Sequence, residues 1–369
     1  MTTRMQWIED HAGWMELREE WDVLADRARD PFSRHDWLSA WWECFPPTGP
    51  MAIGTVRDDD GRLAAALPAW RDGRRLRGVN DTEVWLGSRP LATRPEAMEL
   101  LVAALAEQGA LHLALPGVPV DDPYAAAFLR AADRRSVCRR LTPYRRSPIV
   151  DTTGAYADWR AETRPRWRTD IERLRRKMER DHDAEIVILA RPDDLDAQLD
   201  ACWEVERRGW KGEQGTAIAA SKATTDFYRR VAHAFAERDE LRLSWIKLDG
   251  ELVAFDYLLL SYGRLWGLKT GFDPAHRRLA PGFVLRLGLI ERCFQEPIDA
   301  LEMLGDADEW KMRFATEVRD HRVVETCPRR SATALSWTAR DRVRPLARAT
   351  RTEIRGRLPQ RVLDLARSR

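Results

Sequence analysis

Lysine is scarce in this chain. Only six of the 61 basic side chains are lysines (Lys177, Lys211, Lys222, Lys247, Lys269 and Lys311), a skew that with abundant alanine fits the coding bias of a GC-rich genome. A lysine kept under that bias is worth weighing for its chemistry. Cysteine is thin as well: Cys44, Cys138, Cys202, Cys293 and Cys327 lie far apart with no C-x-x-C pair. That spacing excludes a disulfide framework and a cysteine zinc site, and it predicts a reducing, cytoplasmic setting. The seven histidines show no ligand spacing, so no metal is expected. Charge of one sign is missing too, because 61 basic residues face 59 acidic ones. No whole-molecule field therefore asks for nucleic acid or an anionic surface, and partner choice must be local. No apolar run approaches the roughly 18 residues that span a bilayer, and the opening MTTRMQWIEDHAGW has acids and a tryptophan where a signal peptide needs an apolar core. A soluble protein is expected.

What is present is a long alternation of strand-like and helical patterns. At 369 residues the length favours two domains. The first half reads as a strand at Met5 to Ile8, a helix from Trp14 to Ala28, a hairpin turning on DDDG, a strand at residues 82–87, a helix begun by Pro95, a buried strand ALHLALPG and a helix DPYAAAFLRAADR. The second half repeats this order: a basic helix from Arg166 to Arg180, the strand AEIVILA, helices near 193–208 and 226–236, a meander of three strands, an apolar helix and a last strand at residues 299–305. Two such runs predict a duplicated, mixed α/β protein with domains at 1–150 and 151–328. Residues 329–369 form a basic tail, with net charge +8 from residue 330 onward and some helical amphipathicity. It reads as a solvated helix on the second domain or as a peripheral contact with an anionic membrane.

The stretch DPAHRRLAPGFVLRLGLIERCF sets two arginines and a Pro-Gly pair between a strand and an apolar helix. Pro281 suits the first helical position, where a missing N–H costs nothing, and Gly282 lets a ligand approach the backbone. The unpaired amides of the first turn and the positive end of the helix dipole make a seat for a diphosphate, to which Arg277 and Arg278 can add charge-assisted bonds. The competing reading is an ordinary core helix with solvated arginines.

Pro274, Arg277, Ala280, Gly282 and Leu285 are spaced in a way that resembles the acyl-CoA diphosphate loop of the GNAT N-acyltransferases, with Ala280 where that pattern usually has glycine. Together with Trp210-Lys211-Gly212, the run Leu268 to Pro274, Leu304-Gly305-Asp306 and Trp310-Lys311, the set is similar to the GNAT-like acyltransferases linked to cellulose and exopolysaccharide biosynthesis. These are in turn similar to Fem-type peptidyltransferases, which carry two GNAT-like domains. The resemblance implies two tandem GNAT-like domains, each a mostly antiparallel sheet flanked by helices, the first degenerate. It also implies acyl-CoA as donor, bound by Lys269, Thr270, Gly271, Arg277, Arg278, Ala280, Pro281 and Gly282, with a thioester arm extending the sheet beside the strand that ends near Phe272.

Direct attack of an amine on a thioester needs two oriented substrates, a proton acceptor and an oxyanion site, but no protein nucleophile. Four residues are candidates for that chemistry. Asp256 interrupts an apolar strand and is a proton acceptor if its face is the cleft. Asp273 either caps the turn before Pro274 or holds an ammonium. Asp306 either caps a helix in DADEWKMRF or is a base made basic by burial beside Trp310. Lys311 either carries the acceptor's negative groups or pairs with Asp308. Gly271 is expected to permit a β-bulge. Trp210, Lys211 and Trp310 are candidates to line the acceptor site. The acceptor is expected to be a small or nucleotide-linked amine. The basic helix keeps an aminoacyl-tRNA donor in view, and Ala280 together with the lack of a catalytic tyrosine keeps a non-catalytic scaffold in view.

Overall fold

The computed structural model describes residues 5–79, 89–135, 137–163, 165–209, 218 and 221–337. The first half runs β1 (Met5–Ile8), α1 (His11–Glu16), α2 (Arg18–Ala28), α3 (His35–Cys44), β2 (Ile53–Arg57), β3 (Leu63–Leu67), β4 (Ala69–Asp72), β5 (Arg75–Gly78), β6 (Leu91–Ala92), α4 (Met98–Glu107), β7 (Leu113–Pro119), α5 (Pro123–Asp133) and β8 (Val137–Asp151). The second runs α6 (Tyr156–Glu162), α7 (Pro165–Asp181), β9 (Ala184–Ala190), α8 (Leu195–Arg208), α9 (Lys222–Glu237), β10 (Leu241–Leu248), β11 (Glu251–Ser261), β12 (Arg264–Phe272), α10 (Pro281–Gln295), β13 (Ala300–Glu302) and β14 (Glu317–Pro328).

Local chemistry starts and stops these elements where expected. The side chains of Asp10, Asp122 and Asp194 accept from backbone amides three residues on and cap α1, α5 and α8. Asp249 and Gly250 both take positive φ (53° and 83°), as a two-residue turn between β10 and β11 requires. The single helix expected over Trp14 to Ala28 is broken at Leu17 into α1 and α2. The expected strand at 82–87 lies outside the described residues.

Two sheets result. A small one has order β1-β2-β3-β6, and a ten-stranded one has order β4-β5-β7-β14-β8-β13-β12-β11-β10-β9. The fold is thus mixed α/β, with antiparallel pairing throughout the large sheet except at β5–β7 and β12–β13. Each half contributes one of these parallel pairs, closed by α4 in the first and by α10 in the second.

The expected division at residue 150 falls at the end of β8, a strand in the middle of the large sheet. The last strand was expected at 299–305, yet β14 follows it and inserts between β7 and β8, so that one sheet runs through both halves. Pro143 is tolerated there because the β8–β14 register slips between His321 and Arg322, leaving Tyr144 as an extra residue. The apolar core crosses the halves as well. Trp37 of α3, 1% exposed, meets Phe227 and Phe235 of α9 edge-on at centroid distances of 5.0 and 6.4 Å. Of the basic tail, residues 332–337 are helical and Trp337 packs against Cys138 and Cys327; residues 338–369 lie outside the described residues.

Truncating Trp37 to alanine removes the ring that ties the halves, at a cost of about 3–5 kcal/mol. Chemical unfolding followed by circular dichroism and by tryptophan fluorescence should show one transition at lower denaturant in both signals. Separate transitions for the two halves would contradict a shared core.

Candidate active site

Three register pairs hold β12 to β13, ending at Trp266 opposite Glu302. β12 then continues to Phe272 against β11, while the chain after β13 turns toward β8, where the Met303 amide bonds the Pro148 carbonyl. From Gly267 to Phe272 the β12 edge therefore has no neighbouring strand on that side among the described residues. A strand edge inside a sheet is a row of amides and carbonyls ready for an extended ligand.

Side chains on β11 and β12 leave on two faces. Phe255, Tyr257 and Trp266 join the core beneath α8 and α9, whereas Asp256 and Leu258 face α10. Asp256 meets Arg286 of α10 at 2.6 Å, with side chains 1% and 4% exposed. The Asp256 carboxylate thus lies in a buried ion pair on the α10 side of the sheet. Arg286 went unsuspected, although a lone arginine within an apolar helix opposite a lone aspartate in an apolar strand is a legible sign of a pair. Its second terminal nitrogen, Nη1, is buried and has no hydrogen-bond partner among the described residues. A Cβ at Gly267, the first residue of the open edge, would lie 3.6 Å from that nitrogen. Trp310 covers the pair, its ring 5.9 Å from the Arg286 guanidinium and 5.5 Å from the Lys311 ammonium.

Lys311 is 8% exposed and donates to the carbonyls of Leu304 (2.9 Å) and Asp306 (3.0 Å), with Asp308 at 3.2 Å. Burial lowers its pKa below the usual lysine value despite Asp308. Three acceptors use its ammonium internally, clamping the turn in which Leu304 and Gly305 take positive φ. Asp306 is corrected on both readings. The expected helix is only a 3-10 turn at Lys311–Arg313, and the Asp306 side chain is exposed, 3.6 Å from Arg145, rather than buried beside Trp310.

Beyond Phe272, Asp273 caps a 3-10 turn, Pro274–Leu279, by accepting from the Ala275 amide at 2.9 Å, and it pairs with Arg208 of α8 at 3.0 Å. Burial opposes its charge, but that amide and the guanidinium outweigh it and hold the carboxyl below its usual range. Ala280 takes φ 50°, ψ 48° and joins this turn to α10. Such a left-handed position suits glycine, which is the physical reason alanine there is a departure. No side chain caps α10, Pro281 has no N–H, and the Phe283 amide bonds the Ala280 carbonyl at 3.0 Å. The Gly282 amide is left as the open donor of the first turn, with exposed Arg277 and Arg278 just before it. The body of α10 is buried, and Cys293 within it is a core thiol pushed up to about 12 by burial.

Lys269, Thr270 and Gly271 lie on the open edge. Lys269 sits 4.9 Å from the centre of the Tyr228 ring. A bulge exists but three residues before Gly271: Leu268 is the extra residue between Tyr257/Lys269 and Leu258/Gly267. Gly271 serves close packing instead, since a Cβ there would fall 2.6 Å from the Phe255 ring. Trp210 and Lys211 lie outside the described residues. The α7 face is solvated as charge spacing suggested, with pairs such as Arg175–Glu179 at 3.0 Å.

Residues 165–312 match the family model of an acetyltransferase (GNAT) domain. The match holds β9 to β13, the open edge and the start of α10. Similar folds extend over more of the chain. FemX superimposes with a TM-score of 0.56 at 10% identity, covering 82% of this chain and 95% of that one. A conserved protein of unknown function from Bacteroides thetaiotaomicron gives 0.53 at 11%, over 87% and 99%. The C-terminal domain of a protein assigned as a lysylphosphatidylglycerol synthetase, from Agrobacterium fabrum, gives 0.51 at 12%, over 88% and 95%. These likenesses are of fold, and their reach over both halves makes the shared fold that of the whole chain rather than of the GNAT match alone. No curated protein matches the sequence.

On the other face of the fork the first half closes a cavity of about 210 Å³, lined among others by Phe32, Arg89, Asp121, Trp266, Glu302 and Arg319. Glu302, 1% exposed, accepts at Oε1 from Arg264 and Arg319, both at 2.6 Å. His321, also on its wall, is pushed down to about 4 by burial and by Arg319. Sequence reading missed this cluster, although an acid in so short an apolar strand is a usable signal.

The Asp256–Arg286 pair gives a direct test of the buried floor. Asp256→Leu or Arg286→Leu alone strands a buried charge and should cost about 3–5 kcal/mol, while the double change should recover most of that loss. Additive losses in denaturant melts would show that the two groups act separately.

Proposed function

We propose that this protein transfers an acyl group from acyl-CoA to an amine, by direct attack of the amine on the thioester. The observation that carries this reading is the open β12 edge leading straight to an uncapped helix start. An extended thioester arm can pair with Gly267–Phe272, while the Gly282 amide, the α10 dipole and the exposed Arg277 and Arg278 take the diphosphate. Lys269 and Thr270 flank the arm. The spare Nη1 of Arg286 lies at the head of the open edge, where it can stabilise the oxyanion that forms as the thioester carbonyl is attacked. Asp273, Arg208 and the left-handed Ala280 fix the loop that aims Pro281 and Gly282. Lys311, with the Asp306 carbonyl and Trp310, holds the opposite wall.

The GNAT match over residues 165–312 supports a transferase, and the resemblance to acyltransferases of exopolysaccharide biosynthesis supports the acyl-CoA donor. A second reading, an aminoacyl-tRNA donor, is favoured by the fold shared with FemX and by the exposed Arg173, Arg176, Lys177 and Arg180 of α7. Phosphate contacts from such a face would weaken steeply with salt. In either case the reaction is amide formation at the same fork.

Calorimetric titration of CoA into the wild type and into Gly282→Val tests the donor. An added Cβ at Gly282 meets only Phe272, at 3.7 Å, so the change reports on ligand approach and not on packing. Binding by the wild type that is lost or weakened about tenfold or more, roughly 1.4 kcal/mol, in the variant is the expected result. Equal binding by both, or none by the wild type, refutes the CoA reading.

A further inference from the structure

We infer that the cavity closed by the first half on the Trp266–Glu302 face is the acceptor site, that it takes a small hydrophilic primary amine, and that Glu302 receives the amine's proton. This rests on the proposed acyl transfer at the fork. Trp266 and Glu302 are register partners at the last pair before the strands part, and both line the cavity. Side chains of paired residues leave a sheet on one face. The amine therefore waits beside the point at which the thioester carbonyl arrives, across the sheet from Arg286.

The walls decide the chemistry. Phe32 and Trp266, edge-on at 5.2 Å, form an aromatic corner, and Ala28, Pro119, Pro123 and Leu304 add to the apolar wall. The charged part of the lining sets Asp30, Asp121 and Asp122 from the first half opposite Arg264, Arg319 and Glu302 from the second. Arg89 is held by Asp30 at 3.2 Å and by Asp122, and Arg319 by Asp121 at 3.1 Å, so the first half fixes the cations around the carboxylate. An apolar chain would leave these groups dehydrated, which selects against a lipid-like acceptor. Glu302 has its Oε1 filled by two arginines, whereas no described residue donates to Oε2. That oxygen is a buried, positioned acceptor for an ammonium. In the reaction, the ammonium gives one proton to Oε2 and its nitrogen lone pair attacks the thioester carbon. The N–C bond forms, the C–S bond breaks, and the second amine proton ends on the departing CoA thiolate, leaving an amide and free CoA thiol. Oε2 then returns its proton to water.

The test uses acetyl-CoA with glycine, ethanolamine, glucosamine and, as an apolar control, hexylamine, reading free thiol and product mass. The wild type is expected to acylate at least one hydrophilic amine in preference to hexylamine. Glu302→Gln should lower kcat/KM for that amine by about 100-fold or more while leaving the CoA dissociation constant unchanged. Because Glu302 also balances two arginines, a second variant guards against misfolding: Ala28→Trp fills the cavity from α2 and should raise KM for the amine with CoA binding intact. Intact CoA binding with transfer to none of the hydrophilic amines, a preference for hexylamine, or unchanged kinetics in both variants overturns the acceptor site. Loss of CoA binding in the wild type would instead bring down the underlying donor reading.

Discussion

The structure depends on the parting of two parallel strands. β12 and β13 stay together for three register pairs, and then the chain after β13 is drawn away by the bond from Met303 to Pro148 and by the Lys311 clamp on Leu304 and Asp306. A strand edge with no neighbouring strand among the described residues stays apart only where something holds the sheet open. Here the buried Asp256–Arg286 pair and Trp310 fill the space beneath, and the fork stays open by construction. What is proposed for this place draws on a strand edge with no neighbouring strand among the described residues, next to a helix whose first turn no side chain caps.

The second constraint is that the first half is not a separable appendage. β14 lies between β7 and β8, and the aromatic cluster of α3 reaches α9. The second half thus holds the fork and the first half walls it. The first half brings Asp30, Arg89, Asp121 and Asp122 to the face of Glu302, which a single half would leave open to water. Water exclusion around a charged pocket strengthens each ion pair in it, and a wall from a second half is an economical way to achieve that.

Much of the second half was legible in the sequence. α7, β9, α8 and β10 to α10 follow helical or alternating apolar periods with turn residues between them, and local propensity agrees with the final packing. β8 and β14 were not legible. Their segments, VCRRLTPYRRSPIVD and EVRDHRVVETCP, carry adjacent charges (Arg139-Arg140, Arg145-Arg146, Arg319-Asp320) and three prolines, and they become strands because each pairs with a partner over 160 residues away. Non-local pairing overrides propensity, so no local pattern announces it. At the site, the residues that make a ligand seat were readable because Pro and Gly act locally. Those whose surroundings come from other elements were not: Asp256 meets Arg286 one layer away, no helix follows Asp306, and Gly271 packs on Phe255 while the bulge sits at Leu268. Glu302 stayed hidden because its partners arrive from β12 and β14.

The claim that the β12 edge and the start of α10 receive the donor is tested most directly by hydrogen–deuterium exchange with and without CoA. Slowed exchange confined to amides of Gly267–Phe272 and Gly282 is the predicted result. Unchanged exchange there, or protection confined to another part of the chain when CoA is bound, would contradict it.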